Sequence, residues 1–312
     1  MQADEGVARR LRIRDLHTLR VVAELGSMAQ AAERLALSQS AISKAIAGME
    51  RTLGVPLLDR SSRGVVATGY GRILLARSTA MLDELRQGME ELRFLADPTQ
   101  GEVRVGATEP MTAVVSAVID HLSRRHARLH FRVEVAHTTE LLQRLRDRDL
   151  DLAITRVADA RAEPDLQAEI LFDDALTVVA DRSNPLIHRQ GATLAELLKE
   201  PWALPPYDSF LGRFILKAFQ DRGLEPPLAT VSTRSVQMWV AMLRTGRFLG
   251  IGPSAMLRFP VHYPSLAAVP VELPETRRPI ALVTLGDRSL TPASRLFAET
   301  ARLVSREATE GA

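Results

Sequence analysis

The sequence predicts a mixed α/β chain of three parts: a small helical domain, a long connecting helix, and a larger region of alternating strands and helices. Apolar residues recur at helical spacing in three short segments before residue 50. A seven-residue apolar repeat runs from 75 to 96, and strand-like runs separate amphipathic segments from Gly101 onward. At 312 residues the chain exceeds the size at which one hydrophobic core usually stops growing, so two or more domains are expected.

The first part extends to about Thr68. Leu16, Leu19, Val22, Ala23 and Leu25 mark one face of a helix that Gly26 ends. Ser27, with Gln30 three residues on, predicts a capping box for a short helix from Met28 to Leu35, with Ala31, Ala32 and Leu35 inward. Ala36-Leu37 makes a tight link to Ser38, the N-cap of a third helix reading SQSAISKAIAGME. Ile42, Ile46 and Met49 form its apolar face; Ser40, Ser43, Lys44 and Ala47 lie on another. Two short strands, around 57–60 and 65–67, bracket the turn Ser61-Ser62-Arg63-Gly64.

The connecting helix is expected over about 71–96, ending before Asp97-Pro98. Its a/d series is Leu75, Ser78, Leu82, Leu85, Met89, Leu92 and Ala96, six of seven apolar, as in a helix that pairs with another helix. The expected dimer seam is Leu75, Leu82, Leu85, Met89 and Leu92. In the third part, strands at 102–107, 129–136 and 150–155 alternate with helices at 111–126 and 139–148, which predicts a parallel sheet with right-handed crossovers. A second α/β set contains strands at 176–182 and 248–252 and helices at 209–222 and 235–245. A strand at 279–285 and a helix at 292–307 close the chain.

Composition narrows the chemistry. The absence of cysteine removes disulfides, thiolate metal sites and cysteine nucleophiles. The N-terminus has no apolar signal segment, and no stretch approaches the roughly 18 apolar residues of a membrane span, so the expected location is the cytoplasm, without membrane contact. Net charge is +2, with an excess in residues 1–63, where Arg9, Arg10, Arg12 and Arg14 form a basic arm. GIGPSA at 250–255 has the outline of a dinucleotide turn, but it falls late in the chain and Pro253 stands where the helix should begin. His121, His126 and His130 have no acid or cysteine to complete a metal set. With no catalytic constellation, neither an enzyme nor a cofactor is expected.

Helix, tight turn and helix, the second polar at its front, is the arrangement of a helix-turn-helix reader of DNA, here at about 28–47. The apolar stripe anchors the third helix and turns its polar front toward a major groove. There Gln39 can contact adenine bidentately, Ser43 can donate or accept, and Lys44 can reach guanine or phosphate. The candidate contacts to double-stranded DNA are Ser27, Met28, Ser38, Gln39, Ser40, Ser43 and Lys44, with Arg60 and Arg63 in the wing for the minor groove.

Gly26-Ser27, Ala31-Ala32, Leu35, Ser38-Gln39, Ser43, Glu50, Leu53-Gly54, Leu57 and Arg60 occur in order and without gaps. In this the segment resembles the winged helix-turn-helix of LysR-type transcriptional regulators, and the likeness continues through the linker to GEVRVGA and LDLAI, covering about 14–306. Ser40 stands where the family often has proline, Met49 where it has leucine and Leu58 where it has phenylalanine, and 68–71 departs from the commoner ending. Ser40 offers a hydroxyl where proline would offer only apolar contact, so the family's base preference is not carried over.

The resemblance implies a DNA-binding domain over 1–68, a linker helix over 69–98 and a two-lobed, periplasmic-binding-protein-like α/β effector domain over 99–312. Lobe I is expected at about 99–172 and 274–312, and lobe II at about 173–273. It further implies a dimer, or a tetramer built as a dimer of dimers, that binds promoter DNA and answers to a small-molecule effector, with RNA polymerase a further candidate partner. Open parallel sheets bind ligands at the carboxyl ends of their strands. The candidate effector residues are thus Thr108, Glu109, Thr138, Thr155, Arg156, Tyr207, Ser209 and Gly252, with Glu109 repelling a carboxylate unless Arg156 pairs with it. The rival reading is a solute-binding protein with an added helical segment.

Overall fold

A computed structural model describes residues 10–61, 64–157, 163–259, 263–273 and 276–310. Arg9 of the basic arm and Ser62 and Arg63 of the wing turn lie outside the described residues. The chain divides into two compact units, one ending at Leu92 and the other beginning at Arg93.

The first unit holds α1 (Ile13–Leu25), α2 (Met28–Arg34), α3 (Gln39–Leu53), the antiparallel hairpin β1 (Leu58–Ser61) and β2 (Gly64–Ala67), and most of α4 (Gly69–Ala96). Leu19, Val22, Ala31, Ile42 and Ile46 are fully buried where the three helices meet. Gly26 closes α1 at φ 62°, a left-handed conformation that a Cβ disfavours, and its carbonyl accepts from Val65 N at 2.8 Å. The hairpin is thereby tied to the end of α1. Ser27 accepts from Gln30 N at 3.4 Å, but the return bond from the Gln30 side chain is not among those of the described residues. Only half of the expected capping box forms, because the Gln30 side chain stands in solvent, where water competes. Glu50, near the end of α3, accepts from Leu57 N at 2.8 Å and Leu58 N at 3.3 Å, which sets the entry to the hairpin.

α4 has 28 residues, about 42 Å of helix. Thr68 caps it, accepting from Gly71 N at 3.0 Å while donating to Pro56 O at 2.7 Å. Leu74 and Leu75 pack on the core of the first unit. That corrects the expectation for Leu75: lying in the second turn, it reaches its own domain's core before any partner helix. Leu82 is half-buried; Leu85, Met89 and Leu92 are exposed, at 49%, 47% and 69%.

The second unit begins with β3 (Gln100–Ala107), α5 (Thr112–Ser123), β4 (Arg128–Val135), α6 (Thr138–Arg146), β5 (Leu152–Arg156) and β6 (Leu166–Asp174). There follow β7 (Leu176–Asp181), α7 (Leu194–Leu197), β8 (Ala203–Leu204), α8 (Phe210–Gln220), β9 (Val231–Ser232), α9 (Val236–Leu243), β10 (Gly250–Pro253), α10 (Ala255–Arg258) and β11 (Leu266–Ala268). β12 (Arg278–Leu285) and α11 (Pro292–Glu310) complete it. The larger sheet has the order β4-β3-β5-β12-β6 and the smaller β10-β7-β11.

The parallel sheet with crossover helices expected from the strand–helix alternation forms for β3, β4 and β5, but the larger sheet does not stay parallel beyond them. Within the larger sheet β4-β3-β5 are mutually parallel neighbours, while β12 runs antiparallel to both β5 and β6; in the smaller sheet β7 is antiparallel to β10 and β11. The cause lies in the connections. A parallel neighbour needs a crossover helix, as α5 and α6 provide for β3, β4 and β5. β12 instead comes back from the smaller sheet and enters the larger one from the opposite end. Val103, Val105, Val114 and Phe297 centre one core; Trp202, Ile215, Phe219 and Leu249 centre another around the smaller sheet.

One buried charge network braces the larger sheet. Asp151, 1% exposed, accepts from Arg104 N at 2.9 Å, from the Arg104 and Arg288 guanidiniums at 2.7 Å each, and from Ser294 Oγ at 3.2 Å. Burial pushes its carboxyl up, but Arg104, its hydrogen bonds and Arg288 outweigh that and hold it at about 2.

Candidate nucleic-acid interface and effector site

The outer face of α3 is built by its inner one. Ile42, Ile46 and Met49 are buried at 0–2% exposure, so the opposite face has only solvent beside it. Ser38, Gln39, Ser40 and Lys44 are exposed and Ser43 is half-exposed. Ser38 accepts from Ala41 N at 3.1 Å and shares a 2.9 Å hydrogen bond with Ser40, so those two hydroxyls partly satisfy each other. Among the described residues, the side chains of Gln39, Ser43 and Lys44 have no hydrogen-bond partner. Ser27 is engaged as the α2 cap, and Arg60 is exposed on β1. Met28 is a correction: at 7% exposure it belongs to the core, because the first turn of α2 faces α1.

The effector residues expected at the strand ends scatter into several roles. Thr155 is fully buried, with its hydroxyl 2.7 Å from that of Thr138, joining the end of β5 to the start of α6. Arg156 pairs with Asp174 at 2.6 Å, not with Glu109. Asp174 also accepts from Ser254 Oγ and Ala255 N, each at 2.8 Å, so it fastens the last residue of β6 to α10. Tyr207 donates to Pro227 O at 2.7 Å, and Ser209 caps α8 by accepting from Gly212 N at 3.0 Å. In each of these four a protein neighbour takes up the polar group. Thr108 is half-buried, and its hydroxyl has no hydrogen-bond partner among the described residues. Glu109 is exposed; Tyr263, whose phenol is pushed up by burial, is raised further by that carboxylate.

Gly252 lines an apolar hollow together with Pro110, Thr233, Arg234, Ser235, Trp239 and Met256. Its volume, about 80 Å³, is well under the roughly 300 Å³ of ordinary small-molecule sites. Trp239 donates to Ala203 O at 3.0 Å and lies so near β10 that a Cβ at Gly252 would come within 3.0 Å of its ring. Ser235 caps α9, and Arg234 pairs with Asp208 at 2.9 Å in the open. No group of three or more His, Cys, Asp or Glu that could hold a metal occurs among the described residues. No described helix is long and apolar enough to cross a membrane.

Residues 13–72 match the family model for the bacterial regulatory helix-turn-helix protein of the lysR family, and residues 96–305 match that for the LysR substrate binding domain. The chain belongs to the LysR family of transcriptional regulators. It is 28% identical over 283 residues to the uncharacterized HTH-type transcriptional regulator YybE of Bacillus subtilis, covering 90% of this chain and 95% of that one. It is 28% identical to the transcriptional regulator GbpR of Azospirillum brasilense, over 95% of this chain and 87% of that one. In fold it resembles a full-length OxyR variant from Pseudomonas aeruginosa, with a TM-score of 0.65 and 22% identity over 95% of this chain and 97% of that one.

As a LysR-type DNA-binding regulator with a substrate-binding domain, the protein has its DNA-reading element in the first unit and its ligand-binding element in the second. The solute-binding alternative leaves the helix-turn-helix match unexplained. Sequence reasoning missed Thr233, Arg234 and Trp239 in this regulator's hollow. The hydroxyl-rich STRS segment before α9 was the available signal, hidden because β9 is only two residues long.

Proposed function

We propose that this regulator binds promoter DNA as a dimer, or a dimer of dimers, and that a small molecule held between its two lobes repositions the DNA-reading heads, with no reaction catalysed. The observation that best supports the reading half is the set of exposed, unpartnered Gln39 and Lys44 beside Ser43 on a helix whose opposite face is fully anchored. Such groups lose only water on meeting a base edge. The domain division proposed is 1–68, 69–98 and 99–312, with lobes at 99–172 with 274–312 and at 173–273.

Leu82, Leu85, Met89 and Leu92 would form the dimer seam, bringing two reader helices to half-sites about 34 Å apart. The proposed effector contacts are Thr108, Thr138, Glu109 and Gly252, joined by Thr233, Arg234 and Trp239. The small volume of the hollow implies that the lobes shift to admit a ligand. The test is selection of operator DNA from a random pool, followed by gel-shift titration of Gln39→Ala and Ser43→Ala. Each contact carries ~1–3 kcal/mol of discrimination, so the ratio of specific to scrambled affinity should fall about 5- to 150-fold. Unchanged ratios in both variants would remove α3 from the interface.

A further inference from the structure

A second hollow, of about 360 Å³, lies where the two lobes are joined and shares no lining residue with the one beside Trp239. Its walls come from the end of β6 (Leu171, Phe172, Asp173), from Arg258 of α10, from Arg277 just before β12, and from Arg306 and Thr309 of α11. Three guanidiniums therefore face one carboxylate, a local charge of +2. Among the described residues, none of the three arginines forms an ion pair. The contrast with Arg302, one turn before Arg306, is direct: it binds Glu169 through two hydrogen bonds of 2.7 and 2.8 Å. Arg306 feels Glu169 only at longer range. Arg258 is also pre-positioned, its guanidinium 5.4 Å from the centre of the Phe172 ring and donating to Asp173 O at 3.3 Å.

We propose that this hollow is a second ligand site of the regulator, for a small dianion such as a phosphate monoester or a dicarboxylate. Gathering three like charges around a single counter-charge is unfavourable, and an anion reverses the sign of that interaction. Guanidinium forks match carboxylate and phosphate oxygens bidentately, whereas the Thr309 hydroxyl already donates to Ser305 O at 2.8 Å. The volume falls within the roughly 300–1,000 Å³ of small-molecule sites. Its position gives the ligand something to act on. α10 contributes Met256 to the hollow beside Trp239 and Arg258 to this one, so an anion here bears on a wall of the other site.

The experiment is calorimetric titration of the full chain with inorganic phosphate and, separately, succinate, against sodium chloride at equal ionic strength. At least one dianion should bind with one equivalent per chain, and which one binds separates the phosphate from the dicarboxylate source. Arg277→Gln and Arg306→Gln should each raise that dissociation constant about tenfold or more, as loss of a charge-assisted hydrogen bond does. Both residues are exposed, so the folded state should persist, checked by thermal melting. Lys44→Gln with Arg60→Gln, in the other unit, should leave the binding unchanged. Absence of binding by both dianions, or binding that survives Arg277→Gln and Arg306→Gln, overturns the proposal, whatever the operator experiments show.

Discussion

The polar front of α3 and the polar strand ends of the larger unit look alike in sequence, yet the fold treats them in opposite ways. Gln39 and Lys44 stand free in solvent. Thr155, Arg156 and Ser209 are each taken up by a protein partner: Thr138, Asp174 and the amide of Gly212. A polar side chain on the outer face of an amphipathic helix has only water beside it, because the helix itself sends its apolar residues inward. A polar side chain at a strand end in a two-lobed unit meets chain from elsewhere. Asp174 reaches Arg156 across 18 positions and Ser254 across 80. Availability for a ligand can thus be read from periodicity in one region and not in the other.

The largest test of this contrast is Asp151→Ala. It leaves Arg104 and Arg288 without their shared carboxylate, and loss of one partner from a buried charge network costs about 3–5 kcal/mol. Urea denaturation followed by circular dichroism would measure it, and a loss under about 1 kcal/mol would mean that the larger unit tolerates polar change as α3 should. The same group predicts an acid limb of stability. Its folded pKa of about 2 lies below the ordinary 3.8, so its stabilisation is complete above about pH 4 and disappears as pH falls through 2. Wild-type stability should drop by ~2 kcal/mol across that window, with a flatter profile in Asp151→Ala.

Arg156→Met comes next. Asp174, fully buried, keeps Ser254 and Ala255 but loses its ion partner, so the ligand-free protein should lose about 1.5–3 kcal/mol. If ligand-free stability held while effector affinity fell, Arg156 would be a ligand group after all and the contrast would weaken.

Leu85→Arg tests the apolar stripe that α4 leaves in the open. Burial of a leucine contributes about 1.5–3 kcal/mol, so the variant should shift toward smaller species in sedimentation, and an unchanged mass would place the seam elsewhere. The smallest effect belongs to α3 itself. Gln39→Ala and Ser43→Ala should change folding stability by no more than about 0.5 kcal/mol, because neither side chain holds the fold together. A larger loss from either would show that the reader helix, too, uses its polar groups internally.

Much of the first unit was legible because its signals are local. Gly26 with Ser27, Ser38 before Gln39, and the 42-46-49 stripe each act within a turn or two of helix. Met28 was misread for the same reason: its place at the start of α2 suggested the surface, and only the packing of α2 on α1 put it in the core. β6 is absent from the strands expected of the sequence because Glu169, Asp173 and Asp174 interrupt its apolar run. Two of those acids are used by distant arginines: Glu169 by Arg302 and Asp174 by Arg156. Thr233, Arg234 and Trp239 converge only because β10 presses its glycines against the Trp239 ring, a contact between segments that periodicity does not relate.

The sequence by itself determined the helix faces, the caps, the length of α4, the positions of most strands and the family to which the chain belongs. Each of these rests on interactions within a few residues or on a gapless pattern of residue types. Tertiary structure alone decided the direction of β12, the order of strands in both sheets, the removal of Arg156 and Thr155 from the set of free polar groups, and the gathering of Arg258, Arg277 and Arg306 around one hollow. Strand direction follows from where a connection re-enters a sheet, and the partner of a buried charge follows from which distant segment arrives beside it. Both are properties of the closed chain, and no local window of sequence contains them.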